Sequence, residues 1–288
     1  MLKTVWLMDK RDISTGSAML VGGFDGFHLG HRQLLSCAKQ SGLPVGVMTI
    51  VGGKEKPLFT FEEREIIFQK AGADFVFELP FSEIKDLSPE EFLELLLKEF
   101  HVEVFVCGED FRFGKMALGT PEDLKCGNRV RVEMQKLVTV DGEKVSSNTI
   151  KGLLKQGKIE KANELLEEPF FLIGEVVADR KIGRTIGFPT ANIEYAKEKF
   201  PLKQGVYETQ VEVDGVVYKG ITNYGARPTF DNERVLTETY LDGFAGDLYG
   251  RKLTVEFVRF LREIRKFESA EDLKNQLEED IRRVRTND

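Results

Sequence analysis

The sequence predicts a doubly wound α/β domain followed by a small antiparallel β-barrel with a terminal helix, on three observations. Up to about residue 155, short apolar runs alternate with helical patterns, the rhythm of a parallel sheet covered by helices. From about Phe170 the apolar runs follow one another across glycine-rich or polar joins, and Asp214-Gly215 between two alternating runs is a strong hairpin signal. The tail from Ala270 to Arg285 sets Leu273, Leu277, Ile281 and Val284 on one helical stripe. A length of 288 residues suits two domains, with an expected division into 1–158 and 159–288.

In order along the chain, Ala18–Val21 reads as a strand broken by Gly22-Gly23. Arg32–Gln40 reads as a helix, with Leu34, Leu35 and Ala38 on one face and Gly42 as its stop. Val45–Val51 is a buried-type strand. Thr60 and Glu63 form a capping box ahead of Arg64–Ala71, closed by Gly72. Phe75–Leu79 is a strand, Ser88-Pro89-Glu90-Glu91 opens a capped helix, and Val102–Cys107 is the next strand. Ile150–Glu168 joins the halves as a helical stretch. Phe171–Ala178, Val206–Val213, Val216–Ile221, Leu236–Leu241 and Leu253–Phe260 then read as strands, with Phe257 and Phe260 as core residues.

Composition narrows the function. With 41 Lys+Arg against 48 Asp+Glu, the net charge of −7 argues against a surface built for nucleic acid, while a local site for an anionic small ligand needs few donors. Cys37, Cys107 and Cys126 are widely spaced and odd in number, which gives neither a disulfide framework nor a structural zinc site and suits a reducing cytoplasm. No apolar stretch approaches the roughly 20 residues of a membrane span, and the first residues are too polar for a signal peptide.

Two of the three histidines lie in one loop, Gly22-Gly23-Phe24-Asp25-Gly26-Phe27-His28-Leu29-Gly30-His31, after a strand and at the opening of a helix. Glycines let backbone approach a phosphate, a helix start offers unpaired N–H groups, and imidazoles can donate to developing charge. An ordinary glycine turn and a metal pair are the other readings, and the loop context favours phosphate chemistry. His28 and His31 are the catalytic candidates, with Gly23, Phe24, Asp25 and Gly30 as the cradle. This loop resembles the His-x-Gly-His motif of the adenylyltransferase/cytidylyltransferase superfamily, which implies a nucleotidyltransferase-like fold.

Cys107-Gly108-Glu109-Asp110-Phe111-Arg112-Phe113-Gly114 is similar to the Gly-x-Asp-Phe-x-Phe-Gly pattern of bacterial FAD synthetases. Val145-Ser146-Ser147-Asn148-Thr149-Ile150-Lys151 resembles their Ser-Ser-Thr-x-Ile-Arg segment, which holds triphosphate at a helix start, with Lys151 where arginine is usual. Gly108, Asp110, Ser146, Ser147 and Lys151 are thereby expected at the nucleotide. Standing alone, such hydroxyls are often plain helix caps. The Pro-His-Pro element common in that family is replaced by Val51-Gly52-Gly53-Lys54-Glu55-Lys56-Pro57.

In the second half, Gly183-Arg184-Thr185-Ile186-Gly187-Phe188-Pro189-Thr190-Ala191-Asn192 places Thr190 and Asn192 two apart, on one side of an extended chain. A hydroxyl and an amide oxygen are hard ligands suited to Mg²⁺ carrying ATP phosphates. Gly183 and Gly187 would let a flap close. The run resembles the Gly-x-Pro-Thr-Ala-Asn motif of riboflavin kinases. Asn223–Phe230, Thr237-Glu238-Thr239-Tyr240-Leu241 and Gly246–Arg251 match that family's later segments, which brings in Arg227 and Arg251 and maps the general base onto Glu238.

Nearly the whole chain thus resembles the bacterial bifunctional riboflavin kinase/FMN adenylyltransferases. The resemblance implies phosphorylation of riboflavin by ATP in the C-terminal domain, adenylyl transfer from ATP to FMN giving FAD in the N-terminal domain, and Mg²⁺ with both. It implies small-molecule partners and no membrane or nucleic acid; the oligomeric state stays open.

Overall fold

The computed structural model describes residues 3–7, 13–14, 16–53, 56–178, 187–227 and 234–286. The chain divides into two compact units, Met1–Thr149 and Ile150–Asp288. In the first unit a six-stranded sheet runs in the order β1 (Lys3–Trp6), β4 (Phe75–Pro80), β3 (Val45–Val51), β2 (Ser17–Leu20), β5 (Val102–Gly108), β6 (Arg131–Gln135). Strands β2 to β6 are parallel and β1 lies antiparallel on β4. The chain winds outward from β2 to β4, then returns to the other side of β2 for β5. The end of β2 is therefore a topological switch point, where open α/β sheets hold their ligands.

Mostly apolar runs make the central strands β2 to β5, as a sheet covered on both faces requires, while the edge strands β1 and β6 carry more polar residues. Phe75, Phe77, Phe92, Phe100 and Phe105 form one buried cluster, with the Phe77 and Phe100 rings 4.1 Å apart. Each such ring contributes roughly 1.5–3 kcal/mol by leaving water. Helix α2 (Phe61–Ala71) carries the expected capping box and the capped start of α4 (Pro89–Phe100) is one as well: Thr60 Oγ1 accepts the Glu63 N–H at 3.3 Å and Ser88 Oγ accepts that of Glu91 at 3.2 Å. Helix α1 (Leu29–Lys39) starts ahead of the expected Arg32, so Gly30 and His31 lie in its first turn. Beyond a short helix α3 (Phe81–Ile84), a small hairpin of β7 (Thr139–Val140) and β8 (Glu143–Lys144) leads into α5 (Ser147–Gln156).

The second unit is a closed, six-stranded antiparallel barrel. Its order is β10 (Thr190–Glu194), β13 (Arg234–Leu241), β12 (Val216–Arg227), β11 (Gly205–Val213), β14 (Lys252–Arg262), β9 (Phe170–Val177), with β9 closing on β10. The hairpin signal is realised, with Asp214 at φ 53° and Gly215 at φ 79° joining β11 to β12. Thr209, Thr222 and Thr239 are fully buried and share hydroxyl contacts of 2.9 and 2.8 Å, so the polar groups that alternation turns inward satisfy one another. Helix α6 (Ile159–Leu166) packs on β14 and β9. The terminal helix α7 (Ala270–Arg285) lies on β12, where Ile281 and Val284 join Phe188, Val206 and Ile221 in one apolar cluster. Among the described residues no helix is long and apolar enough to cross a membrane.

Candidate active sites

The loop after β2 ends in two stacked imidazoles. His28 is the N-cap of α1 and its backbone carbonyl accepts the N–H groups of His31 and Arg32 at 2.8 and 3.1 Å. Its ring lies parallel to that of His31, with centroids 3.7 Å apart. A Cβ on Gly30 would come within 3.3 Å of the His28 ring, so the small residue between the histidines leaves room for the stack. Phe24, buried and in the left-handed region at φ 40°, sets its ring 4.5 Å from that of His31. Asp25 accepts the Leu58 N–H at 2.6 Å and so ties the loop to the chain after β3. Gly23 lies at the exposed crest.

The two rings are chemically distinct. His31 Nδ1 lies 2.6 Å from the Gly26 carbonyl, which can only accept, so Nδ1 bears the proton. His28 Nδ1 is buried with no hydrogen-bond partner. Burial, followed by the charge of Lys144, pulls the His28 pKa down to about 4; burial, followed by His28, holds His31 well below 6.5. Both rings are neutral near pH 7 and lie at the start of α1, the positive end of the helix dipole.

The other N-terminal candidates divide. Gly108 ends β5, and Asp110 beyond it forms an ion pair with Lys144 of β8. Ser146 is a helix cap: its Oγ accepts the Thr149 N–H at 3.2 Å, and Ser147 is the first residue of α5. Lys151 is buried, with Nζ 5.5 Å from the centre of the Phe200 ring. Lys144 was not singled out in the sequence. The Asp141-Gly142 turn, with φ 52° and 79°, was the available signal for the hairpin that carries it.

On the barrel, Thr190 and Asn192 belong to a strand and not to a loop. Register sets Asn192 opposite Glu238 on β13, and Glu238 opposite Asn223 on β12, so the three residues form a row on the outward side of the sheet. Thr190 and Asn192 line a cavity of about 600 Å³ with Val176, Leu241, Phe244 and Tyr249. Asn192 is 5% exposed and its Oδ1 has no hydrogen-bond partner. A shielded amide oxygen beside a threonine is a donor set that fits a hard cation such as Mg²⁺. Among the described residues no cluster of His, Cys, Asp and Glu offers a separate metal site. Gly187 adopts φ 85° just ahead of this strand, a conformation that favours glycine. Arg251 forks onto Asp214 at 3.0 and 2.7 Å, at the β11–β12 turn. Arg227 ends β12, with its side chain outside the described residues, as is Gly183.

An open sheet with a glycine–histidine loop at its switch point is followed by a barrel with a cavity lined in part by an amide and a hydroxyl, and the family matches make the chain a transferase. Residues 10–149 match the FAD synthetase family and residues 166–287 the riboflavin kinase family. The chain is 34% identical to the bifunctional riboflavin kinase/FMN adenylyltransferase of Bacillus subtilis, over 92% of this chain and 90% of that one. It is 33% identical to that of Haemophilus influenzae, over 92% of each. A crystal structure from Streptococcus pneumoniae, described as a macrolide-efflux protein, superposes with a TM-score of 0.86 at 29% identity over 95% of both chains. The chain belongs to the bacterial bifunctional riboflavin kinase/FMN adenylyltransferase family, with a FAD synthetase domain preceding a riboflavin kinase domain.

Proposed function

We propose a division of labour in which Glu238, Thr190 and Asn192 serve riboflavin phosphorylation, and His28 and His31 serve adenylyl transfer to FMN. In the first reaction the 5′-hydroxyl of riboflavin attacks the γ-phosphorus of ATP. The bond to the β-phosphate oxygen breaks, ADP leaves, and the hydroxyl proton passes to the Glu238 carboxylate. In the second, a phosphate oxygen of FMN attacks the α-phosphorus of ATP and pyrophosphate leaves. The stacked imidazoles and the start of α1 face the charge that develops there. Gly23, Phe24, Asp25 and Gly30 would shape that cradle, and the resemblance assigns Gly108, Asp110, Ser146 and Ser147 to the same nucleotide site. Gly187 lets the chain turn ahead of Thr190.

Thr190 and the orphaned Oδ1 of Asn192 would hold Mg²⁺. The ion would supply charge neutralisation on the ATP phosphates. Lys151, Arg227, Arg251 and Gly183 remain candidates for nucleotide contact through the resemblance alone. The widely spaced and odd-numbered cysteines support a cytoplasmic setting.

The observation that carries the reading is the register that brings Glu238 beside Asn192 while His28 and His31 stack in the other unit. The test measures both half-reactions on two variants. Glu238→Gln should slow FMN formation by about 10²–10⁴-fold and leave FAD formation from supplied FMN unchanged. His28→Ala should show the reverse, with FAD formation down by about 10²-fold. A folded Glu238→Gln protein with intact kinase activity would remove the general base from this scheme.

A further inference from the structure

Three segments of the first unit converge on the His28–His31 stack, and one of them brings a cation outside every motif. Val138 lies 4.0 Å from where a Gly30 Cβ would sit, which lays the β7–β8 hairpin's base against the start of α1. The Val145 N–H donates to the Val138 carbonyl at 2.9 Å, closing that base. The Leu137 N–H donates to Glu109 Oε1 at 3.1 Å, which fastens the same segment to the loop after β5. Lys144 sits at the junction. Its carbonyl accepts the Thr149 hydroxyl at 2.8 Å at the opening of α5, and its ammonium pairs with Asp110.

We propose that Lys144 is a phosphate-contacting cation of the adenylyl-transfer site, held ready by Asp110 until the nucleotide enters. The inference rests on the reading that the histidine loop takes the triphosphate. Lys144 has the chemistry for this role, a compact ammonium with three donors on a long stem. Its pairing with Asp110 is exposed, with 45% and 51% of the side-chain surfaces accessible. Such a pair holds little free energy, so exchanging a carboxylate for a polyanionic phosphate costs little. The charge of Lys144 already acts on His28. Lys151, the cation that the family motif would supply, has its ammonium over Phe200 in the second unit.

The full-length protein tests this with FMN supplied directly, FAD formation followed against ATP concentration, and riboflavin phosphorylation measured on each preparation as a control for folding. Lys144→Met should lower kcat/KM for ATP in FAD formation by about tenfold or more, the loss of one hydrogen bond between charged partners. Lys144→Arg should stay within about threefold of wild type because the charge is kept, and kinase activity should not move in either. Asp110→Asn separates contact from mere support. If Lys144 reaches phosphate, adding Lys144→Met to Asp110→Asn lowers the rate further. If it only positions Asp110, the double variant equals the single, and the proposal falls. A Lys144→Met enzyme within twofold of wild type also overturns it. His28→Ala, run alongside, tells the two ideas apart. An inactive His28→Ala with an intact Lys144→Met rejects Lys144 alone, whereas two intact variants reject the histidine loop as well.

Discussion

At the scale of single residues, the stacked histidines have a sign that pH can read. Each is held neutral in the folded chain, His28 with its pKa near 4 and His31 well below 6.5, chiefly through burial. A base with a depressed folded-state pKa contributes stability that is complete above its unfolded pKa and lost as pH falls toward the folded one, because the unfolded chain binds the proton first. For His28 this window runs from about 6.5 down to about 4 and is worth on the order of 3 kcal/mol. The single tryptophan, Trp6, packs against Phe75 at 5.1 Å and reports on this unit alone. Melts followed by Trp6 fluorescence should shift down as pH falls from about 7 to about 4.5, and His28→Asn should flatten that shift. An unchanged acid slope in the variant would mean that His28 is not the group being titrated. The same geometry bears on function. With Nδ1–H given to Gly26, His31 presents a bare Nε2, and donating from both nitrogens requires the imidazolium, which a bound triphosphate would favour.

At the scale of elements, α7 is fixed to the barrel by three devices of unequal depth. Asp280 is fully buried and takes a fork from Arg262, at 3.0 Å from Nε and 2.8 Å from Nη2, plus the Gln276 amide at 2.9 Å. Val284 is fully buried in the cluster that contains Phe188 and touches Tyr240, so the helix backs both the approach to Thr190 and the strand of Glu238. Arg285 forks onto Asp242 at 2.7 Å through each oxygen, but lies 62% exposed. Asp280→Ala should cost about 3 kcal/mol by removing the buried carboxylate that the partly buried Arg262 and Gln276 hold, Val284→Ala about 1–3 kcal/mol, and Arg285→Ala little. Thermal denaturation should rank the variants in that order, with kinase activity lost before FAD formation. If Asp280→Ala melts no lower than Arg285→Ala, the buried network does not hold the helix. The stripe that defines α7 was legible because amphipathic period survives in sequence, as were the Thr60–Glu63 capping box, the Ser88 helix cap and the Asp214-Gly215 hairpin. Strand β10 was hidden because Gly187 and Pro189 give its approach the composition of a turn. The β7–β8 hairpin was missed because two-residue strands leave no alternation to read, although Asp141-Gly142 marks its turn. Motifs located the stacked histidines and Asn192, but only register put Glu238 beside Asn192. Lys144, in a polar segment of no motif, required the fold.

At the scale of the molecule, the question is where one unit ends. The sequence divides the chain at 158/159, between α5 and α6, and the family matches leave residues 150–165 assigned to neither domain. Packing resolves this segment. Leu154 is 1% exposed and its carbonyl accepts the Lys203 N–H at 3.1 Å, while Lys151 and Lys155 lie 5.5 and 5.3 Å from the Phe200 ring centre. A Cβ at Gly157 would touch Phe260 at 3.3 Å, so the turn after α5 also rests on the barrel. The body of α5 is therefore part of the second unit's core, although its capped start lies among the nucleotide motifs of the first. Fragments 150–288 and 159–288 should both fold and phosphorylate riboflavin, and neither should make FAD from FMN. The longer should be the more stable, since removing Leu154 alone forfeits about 1.5–3 kcal/mol of burial, which for a unit of this size is a melting shift of roughly 5 °C or more. Equal melting temperatures would return α5 to the first unit and restore the boundary at 158/159. A folded 150–288 fragment that cannot phosphorylate riboflavin would show instead that the kinase site is incomplete without residues 1–149.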